Sequence, residues 1–160
     1  MNYAFYNCKS LTSITLRNVY LNMAEYMCQG CTNLTNFTID YNYSDTTNCC
    51  CSNYAFAQCS NLKNINITSS NNTSNSVKFY FRNTNHMFQD CSALTKIPFN
   101  GSYFYSTNNC FENCANLKTA NINHPSFNIF ANTFKDTNIT KLDAKTTGLN
   151  IAVTMSSAFP

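Results

Sequence analysis

The sequence predicts a mainly β, right-handed solenoid of about six coils, with two short strands per coil and the first strands joined in a parallel sheet. Three observations predict it. One five-position pattern, Phe-x-x-Cys-x-x-Leu-x-x-Ile-x-Leu, recurs along the 160 residues. The copies are spaced by one unit length with occasional insertions. Within each copy, and again between copies, apolar and polar residues alternate with period two, which is strand and not helix. The right hand is the one that parallel strands joined by crossovers adopt.

The copies run in order. Phe5, Cys8, Leu11, Ile14 and Leu16 make the first, and Phe56, Cys59, Leu62, Ile65 and Ile67 repeat it closely. Between them Cys28 takes the aromatic position, followed by Cys31, Leu34, Phe37 and Ile39. Next come Phe88, Cys91, Leu94, Ile97 and Phe99, then Phe111, Cys114, Leu117, Ala120 and Ile122. A sixth copy, one residue short, is Phe134, Thr137, Ile139, Leu142 and Ala144, and Ala158 and Phe159 open a seventh. The aromatic position therefore falls at 5, 28, 56, 88, 111, 134 and 159, with a basic step of 23 residues. That unit length is the mark of a leucine-rich-repeat solenoid. The expectation is a single solenoid domain, 1–160, with repeats starting near 4, 27, 55, 87, 110, 133 and 158. A chain that begins inside one repeat and stops inside another is expected to be a fragment of a longer array.

Each element follows from the pattern. The last two apolar positions lie two apart, so both point to one side of a short strand while the residues between them face out. Stacking buries the Leu, Ile and final Leu columns, which no single coil could bury alone. A turn is expected around Phe-x-x-Cys, with no α-helix beyond a single turn. Second strands are expected at "VYLNM" (Val19, Leu21, Met23), "VKFYF" (Val77, Phe79, Phe81), "SFNIF" (Phe127, Ile129) and "NIAVTM" (Ile151, Val153, Met155). The segments "YNYSDTTNCCCS" and "TSSNNTSNS" read as polar insertion loops on the side opposite the first strand.

Only 11% of residues are charged, and polarity comes instead from Ser, Thr and 28 Asn. A net charge of +3 without a basic run gives no electrostatic footprint for nucleic acid or an acidic membrane surface. No apolar run is long enough to span a bilayer. "MNYAFYNC" has neither the basic start nor the apolar segment of a signal peptide.

The segments "AFYNCKSLTSITL", "AFAQCSNLKNINI" and "CSALTKIPF" resemble the short-unit BspA-like leucine-rich repeat, whose core reads AFxxCxxLxxIxIP. The resemblance covers Ala4 to Phe159, and departs from the family in its scarce Gly and heavy Asn content. It implies a surface or secreted protein of a bacterium or a mucosal protist, acting in adhesion to host proteins or to other cells.

Ten Cys invite a metal or redox reading. Cys8, Cys31, Cys59, Cys91 and Cys114 share one column of the repeat, and Cys110 shares another with Ala4, Met27, Ala55 and Met87, so all six read as buried small hydrophobes. Cys28-x-x-Cys31 resembles half a zinc site, but the repeat already accounts for both and no second pair matches it. The reading is packing, with no metal and no cofactor. Cys49, Cys50 and Cys51 fall outside the frame and are the candidates for a disulfide. Eight sequons occur, at Asn33, Asn36, Asn42, Asn66, Asn71, Asn72, Asn100 and Asn138. Asn42, Asn71, Asn72 and Asn100, in loops, are the candidate glycosylation sites. Asp90 and Asp136 share a column with Asn7, Gly30, Gln58 and Asn113 and read as turn residues, not as a catalytic pair. With two His, three Gly and no converging acid, base and nucleophile, the chain does not read as an enzyme.

What remains is the outward face of the first sheet. Its columns are Ser13, Asn36, Asn64, Lys96, Thr119 and Lys141 beside Thr15, Thr38, Asn66, Pro98, Asn121 and Asp143. Solenoids commonly bind through such a face. The expected function is a cell-surface or extracellular adhesion module that binds a protein or glycan there, with no nucleic acid and no membrane insertion by these residues. The alternative is a structural subunit that self-assembles without a soluble ligand. Tyr103, Phe104 and Tyr105, with Tyr41, Tyr43 and Tyr80, are the candidates for aromatic contacts on another face.

Overall fold

The computed structural model describes residues 1–19, 23–40, 52–68, 80–98, 103–121 and 131–143, and contains no helix among them. Every coil opens on a turn centred on the aromatic position. Two residues before it and two after it the backbone is left-handed: Tyr3 and Asn7, Tyr26 and Gly30, Tyr54 and Gln58, His86 and Asp90, Asn109 and Asn113, Asn132 and Asp136, with φ from 54° to 75°. The column that reads as turn residues in the sequence is the second of these, where Asn, Asp and Gly tolerate the conformation. Between the two left-handed residues, amides alternate in direction. Tyr6 N–H donates within its own coil to Tyr3 O (3.2 Å), while Phe5 N–H donates to Met27 O of the next coil (2.8 Å). The inter-coil bond recurs from Cys28 to Ala55, Phe56 to Met87, Phe88 to Cys110 and Phe111 to Thr133, at 2.7–2.9 Å. The turns thus form one backbone ladder through all six coils.

Strands follow the turns. β1 (Ser13–Arg17), β2 (Asn36–Asp40) and β3 (Asn64–Thr68) form a parallel sheet in repeat register, Ile14 beside Phe37 beside Ile65. β4 (Tyr80–Phe81) pairs with β5 (Tyr103–Phe104), and β6 (Thr119–Asn121) with β7 (Lys141–Asp143), both parallel. The fold class is therefore as predicted, with two corrections. The first sheet does not run on through the fourth coil: Lys96, Ile97 and Pro98 form no strand. Pro98 has no N–H to give to a ladder. The second strand pair includes Tyr103–Phe104, which alternation did not single out. Phe104 is core, 5.1 Å from the Phe81 ring, and not part of a contact face. Of the first expected second strand, Met23 is exposed and Val19 is half-buried against the core. Leu21, Val77, Phe79, Phe127, Ile129, Ile151, Val153 and Met155 lie outside the described residues, as do both insertion loops apart from their end residues, Ser52, which is buried, and Thr68, which closes β3.

The core consists of stacked columns. Leu34, Leu62, Leu94 and Leu117 are fully buried. Phe56, Phe88, Phe111 and Phe134 stack with ring centroids 5.5, 5.3 and 5.6 Å apart, all within 11° of parallel. The second coil swaps sizes: small Cys28 takes the aromatic position and Phe37 the Ile position, and the Phe37 ring packs edge-on to Phe56 at 4.8 Å. Core volume is kept across the exchange, the kind of substitution that cores tolerate best.

Candidate interaction face

The outward columns of the strands are where the repeat leaves side chains without a packing role. Ser13, Thr15, Asn36, Asn64 and Asn66 are exposed and Thr38 is half-buried. Asn64 Nδ2 donates to Asn36 Oδ1 of the preceding coil (2.9 Å), Asn36 Nδ2 to Thr35 Oγ1 (2.9 Å), and Thr35 Oγ1 to Thr12 O (2.9 Å). One chain of polar groups therefore runs across three coils, each fixed by the last. Thr119, Asn121 and Lys141 are exposed on the β6–β7 pair, where Asp143 lies opposite Asn121. Lys96 is exposed between the two sheets, but Pro98 is buried and drops out of the face. Sequence reasoning missed Lys63 and Lys118. They sit one residue before β3 and β6, both exposed, in the column that Thr12 and Thr35 hold in the first two coils. The signal was present in the repeat frame, which places lysines far apart in sequence on neighbouring columns.

Asparagine recurs for a structural reason. Three residues before the aromatic position, the side chains of Asn2, Asn53 and Asn85 accept the N–H of Glu25, Asn85 and Asn108 in the next coil (3.0–3.2 Å). Five residues after it, or four in the short sixth coil, Asn33, Asn61, Asn116 and Asn138 donate back to Lys9 O, Thr32 O, Ser92 O and Ala115 O (2.7–2.9 Å). Amide side chains thus satisfy backbone groups that consecutive coils leave unpaired. Asn42, Asn71, Asn72 and Asn100 lie outside the described residues, as do Cys49, Cys50, Cys51, Tyr41 and Tyr43.

The cysteine column is packing with a specific bond, except at Cys8 of the first coil, which is half-buried and not buried as expected. Cys31 Sγ donates to Phe5 O, Cys59 to Cys28 O, Cys91 to Phe56 O and Cys114 to Phe88 O, at 2.9–3.1 Å, each reaching one coil back. Burial pushes the Cys59 and Cys110 thiols up to about 12 and raises Cys91 and Cys114 as well. A hydrogen bond from Cys28 draws Cys31 down to about 7 and correspondingly raises Cys28. Both sulfurs are fully buried, and Cys31 spends its own proton on Phe5 O, so neutral thiols fit this site best. Among the described residues no group of three or more His, Cys, Asp or Glu could hold a metal ion.

The opposite edge, along the turns, is aromatic and acidic. Tyr3, Tyr26, Tyr54 and His86, all with left-handed backbone, stack at 4.8, 5.0 and 4.6 Å with planes within 5°. Near the end of that stack Glu112 accepts from Gln89 Nε2 (2.9 Å), Asn109 Nδ2 (2.7 Å) and Lys135 Nζ (2.8 Å). Burial alone would raise the Glu112 carboxyl. The bonds from Lys135 and Asn109 outweigh it and hold the group below the usual carboxylate value. Glu112 is thus fully engaged by its neighbours, whereas the strand face presents exposed hydroxyls and amides over successive coils.

The model of the BspA type leucine rich repeat region matches residues 1–86 and 51–159 in six copies. No curated protein and no solved structure matches the chain.

Proposed function

Since this chain belongs to the BspA-type leucine-rich repeat family, we propose that it is a surface or secreted adhesion module, binding a protein or glycan of another cell through the outer face of β1–β3 and its continuation over Lys96, Thr119, Asn121 and Lys141. The observation that carries this reading is the ordered amide chain from Asn64 through Asn36 to Thr35. A face whose polar groups are already fixed loses little conformational entropy when a partner docks, so a larger share of each contact appears as affinity. No helix among the described residues is long and apolar enough to cross a membrane. In this reading Asn42, Asn71, Asn72 and Asn100 carry glycans, which intact mass before and after deglycosylation reads directly.

The test is adhesion of protein-coated beads to intact cultured cells. Wild-type beads are expected to adhere, and Thr15→Glu with Asn66→Glu, two exposed changes on the face, to abolish adhesion. A Tyr6→Ser protein, altered at an exposed side chain on the turn edge and outside that face, should adhere as wild type does. Beads that never adhere would favour the structural-subunit alternative.

A further inference from the structure

The lysines of this chain look scattered in sequence but not in space. Lys63, Lys96, Lys118 and Lys141 fall one to a coil in the third to sixth coils, four or five residues after the cysteine position, which Thr137 holds in the sixth, and all four are exposed. No ion pair joins them to an acid among the described residues, where Lys135 makes both salt bridges. From the cysteine position to the end of the first strand's apolar pattern, the six coils carry these four and Lys9 against one acid, Asp143. That is a net +4 on this arc of the repeat, in a chain whose whole formal charge is +3. Acids gather at the turn edge instead, where Glu25, Asp90, Glu112 and Asp136 lie.

We infer that this stripe binds an extended sulfated polysaccharide laid along the stacking direction. The inference rests on the adhesion reading and names its partner class. Successive coils are about 5 Å apart, so the four ammonium groups span about 15 Å, with neighbours inside the screening length of about 8 Å at physiological salt. They act on a polyanion together. Lysine is a compact charge without the planar fork of arginine, so the stripe matches the spacing of charge along a polyanion and not the planar geometry of single carboxylates. The flanking columns, Ser13, Asn36, Asn64 and Thr119 beside Thr15, Thr38, Asn66 and Asn121, offer amides and hydroxyls to sugar hydroxyls. They offer no aromatic ring on which a nucleic-acid base could stack, and no exposed apolar side chain for a lipid surface.

The experiment measures binding of the full chain to heparin, chondroitin sulfate and neutral dextran over a sodium chloride series. The variants are Lys63→Gln, Lys96→Gln, Lys118→Gln and Lys141→Gln combined, and Arg82→Gln, exposed and beyond β4, as the control. Wild type and the control are expected to bind the sulfated polymers and not dextran. The fourfold variant should lose about a hundredfold in affinity at low salt, with the logarithmic salt slope falling by roughly one per lysine, while its melting temperature stays at the wild-type value. Equal binding by the fourfold variant, no binding to heparin by wild type, or tighter binding to a single-stranded oligonucleotide than to heparin would overturn the inference. Bead adhesion that survives both the four substitutions and soluble heparin would overturn it while leaving the adhesion reading intact. Heparin binding without bead adhesion would do the reverse.

Discussion

The turn stack and the strand face come from the same six coils, yet the turns form one unbroken ladder and the strands do not. At the turns, the inter-coil bond at the aromatic position recurs five times within 0.2 Å, whatever residue stands there. On the side of the first strands β1–β3 pair fully, Lys96–Pro98 of the fourth coil form no strand, and pairing on that side resumes with β6 and β7. The turn is set by backbone conformation, two left-handed residues four apart, and a coil of any length can supply it provided insertions fall elsewhere. The strand ladder needs every N–H, and a single proline removes one. The solenoid is therefore held together at its turns, while its strand side tolerates variation and can carry recognition.

The largest expected effect breaks the turn side. Phe88 is fully buried between Phe56 and Phe111, so Phe88→Ala should cost about 3–5 kcal/mol through lost transfer energy and a cavity. Ile97→Ala, at the half-buried strand position of the same coil, should cost about 1–2 kcal/mol. Urea unfolding of both proteins decides the matter, and an equal or larger loss at Ile97 would mean that the turns do not dominate.

Gly30 sharpens the same point with one atom. Its φ is +75°, and a Cβ there would stand 2.1 Å from Asn7 Oδ1 of the preceding coil. Gly30→Ala should cost about 1–2 kcal/mol, partly from the left-handed backbone and partly from that clash. Adding Asn7→Gly removes the clash and keeps a left-handed-tolerant residue, so the double variant should recover part of the loss. If melting temperature shows no recovery, backbone strain accounts for the whole effect.

Glu112 tests the polar edge of the turns. Its folded carboxyl is held below the ordinary Glu value of about 4.3. Its contribution is therefore complete above that pH and is lost as pH falls through the lower folded value. Glu112→Gln should cost about 1 kcal/mol at pH 7, since three donors lose a charged acceptor. The variant should then converge with wild type as the pH drops below about 4. A constant gap between the two from pH 7 to pH 3 in denaturant titrations would refute the assignment.

Much of this comparison was legible in the residues. Spacing alone placed the cysteine column and the turn column of Asn7, Gln58, Asp90 and Asp136, because both are fixed by position in the repeat. The left-handed column ahead of the aromatic position was not legible: Tyr3, Tyr26 and Tyr54 are poor left-handed residues by local preference, and their rings stack on one another. Alternation turned Pro98 outward, where the structure buries it, since period two applies only where a strand forms. The lysine stripe escaped notice because charge read along the chain is diluted, whereas stacking brings residues 63, 96, 118 and 141 onto neighbouring columns.

The smallest effect on stability is expected on the strand face, at Asn64. Its amide donates to Asn36 Oδ1 at 2.9 Å, but both side chains are exposed, so water replaces the bond when it is lost. Asn64→Ala should shift stability by no more than about 0.5 kcal/mol, roughly a tenth of the loss at Phe88. Its effect on adhesion should be larger than its effect on melting, because freeing Asn36 returns to the unbound face the rotamer entropy that the ladder had removed. Binding and melting of this variant, measured side by side, separate the roles of the two regions. A variant that melts early and binds normally would place Asn64 with the turns as scaffold; one that melts normally and binds weakly would place it in the recognition surface.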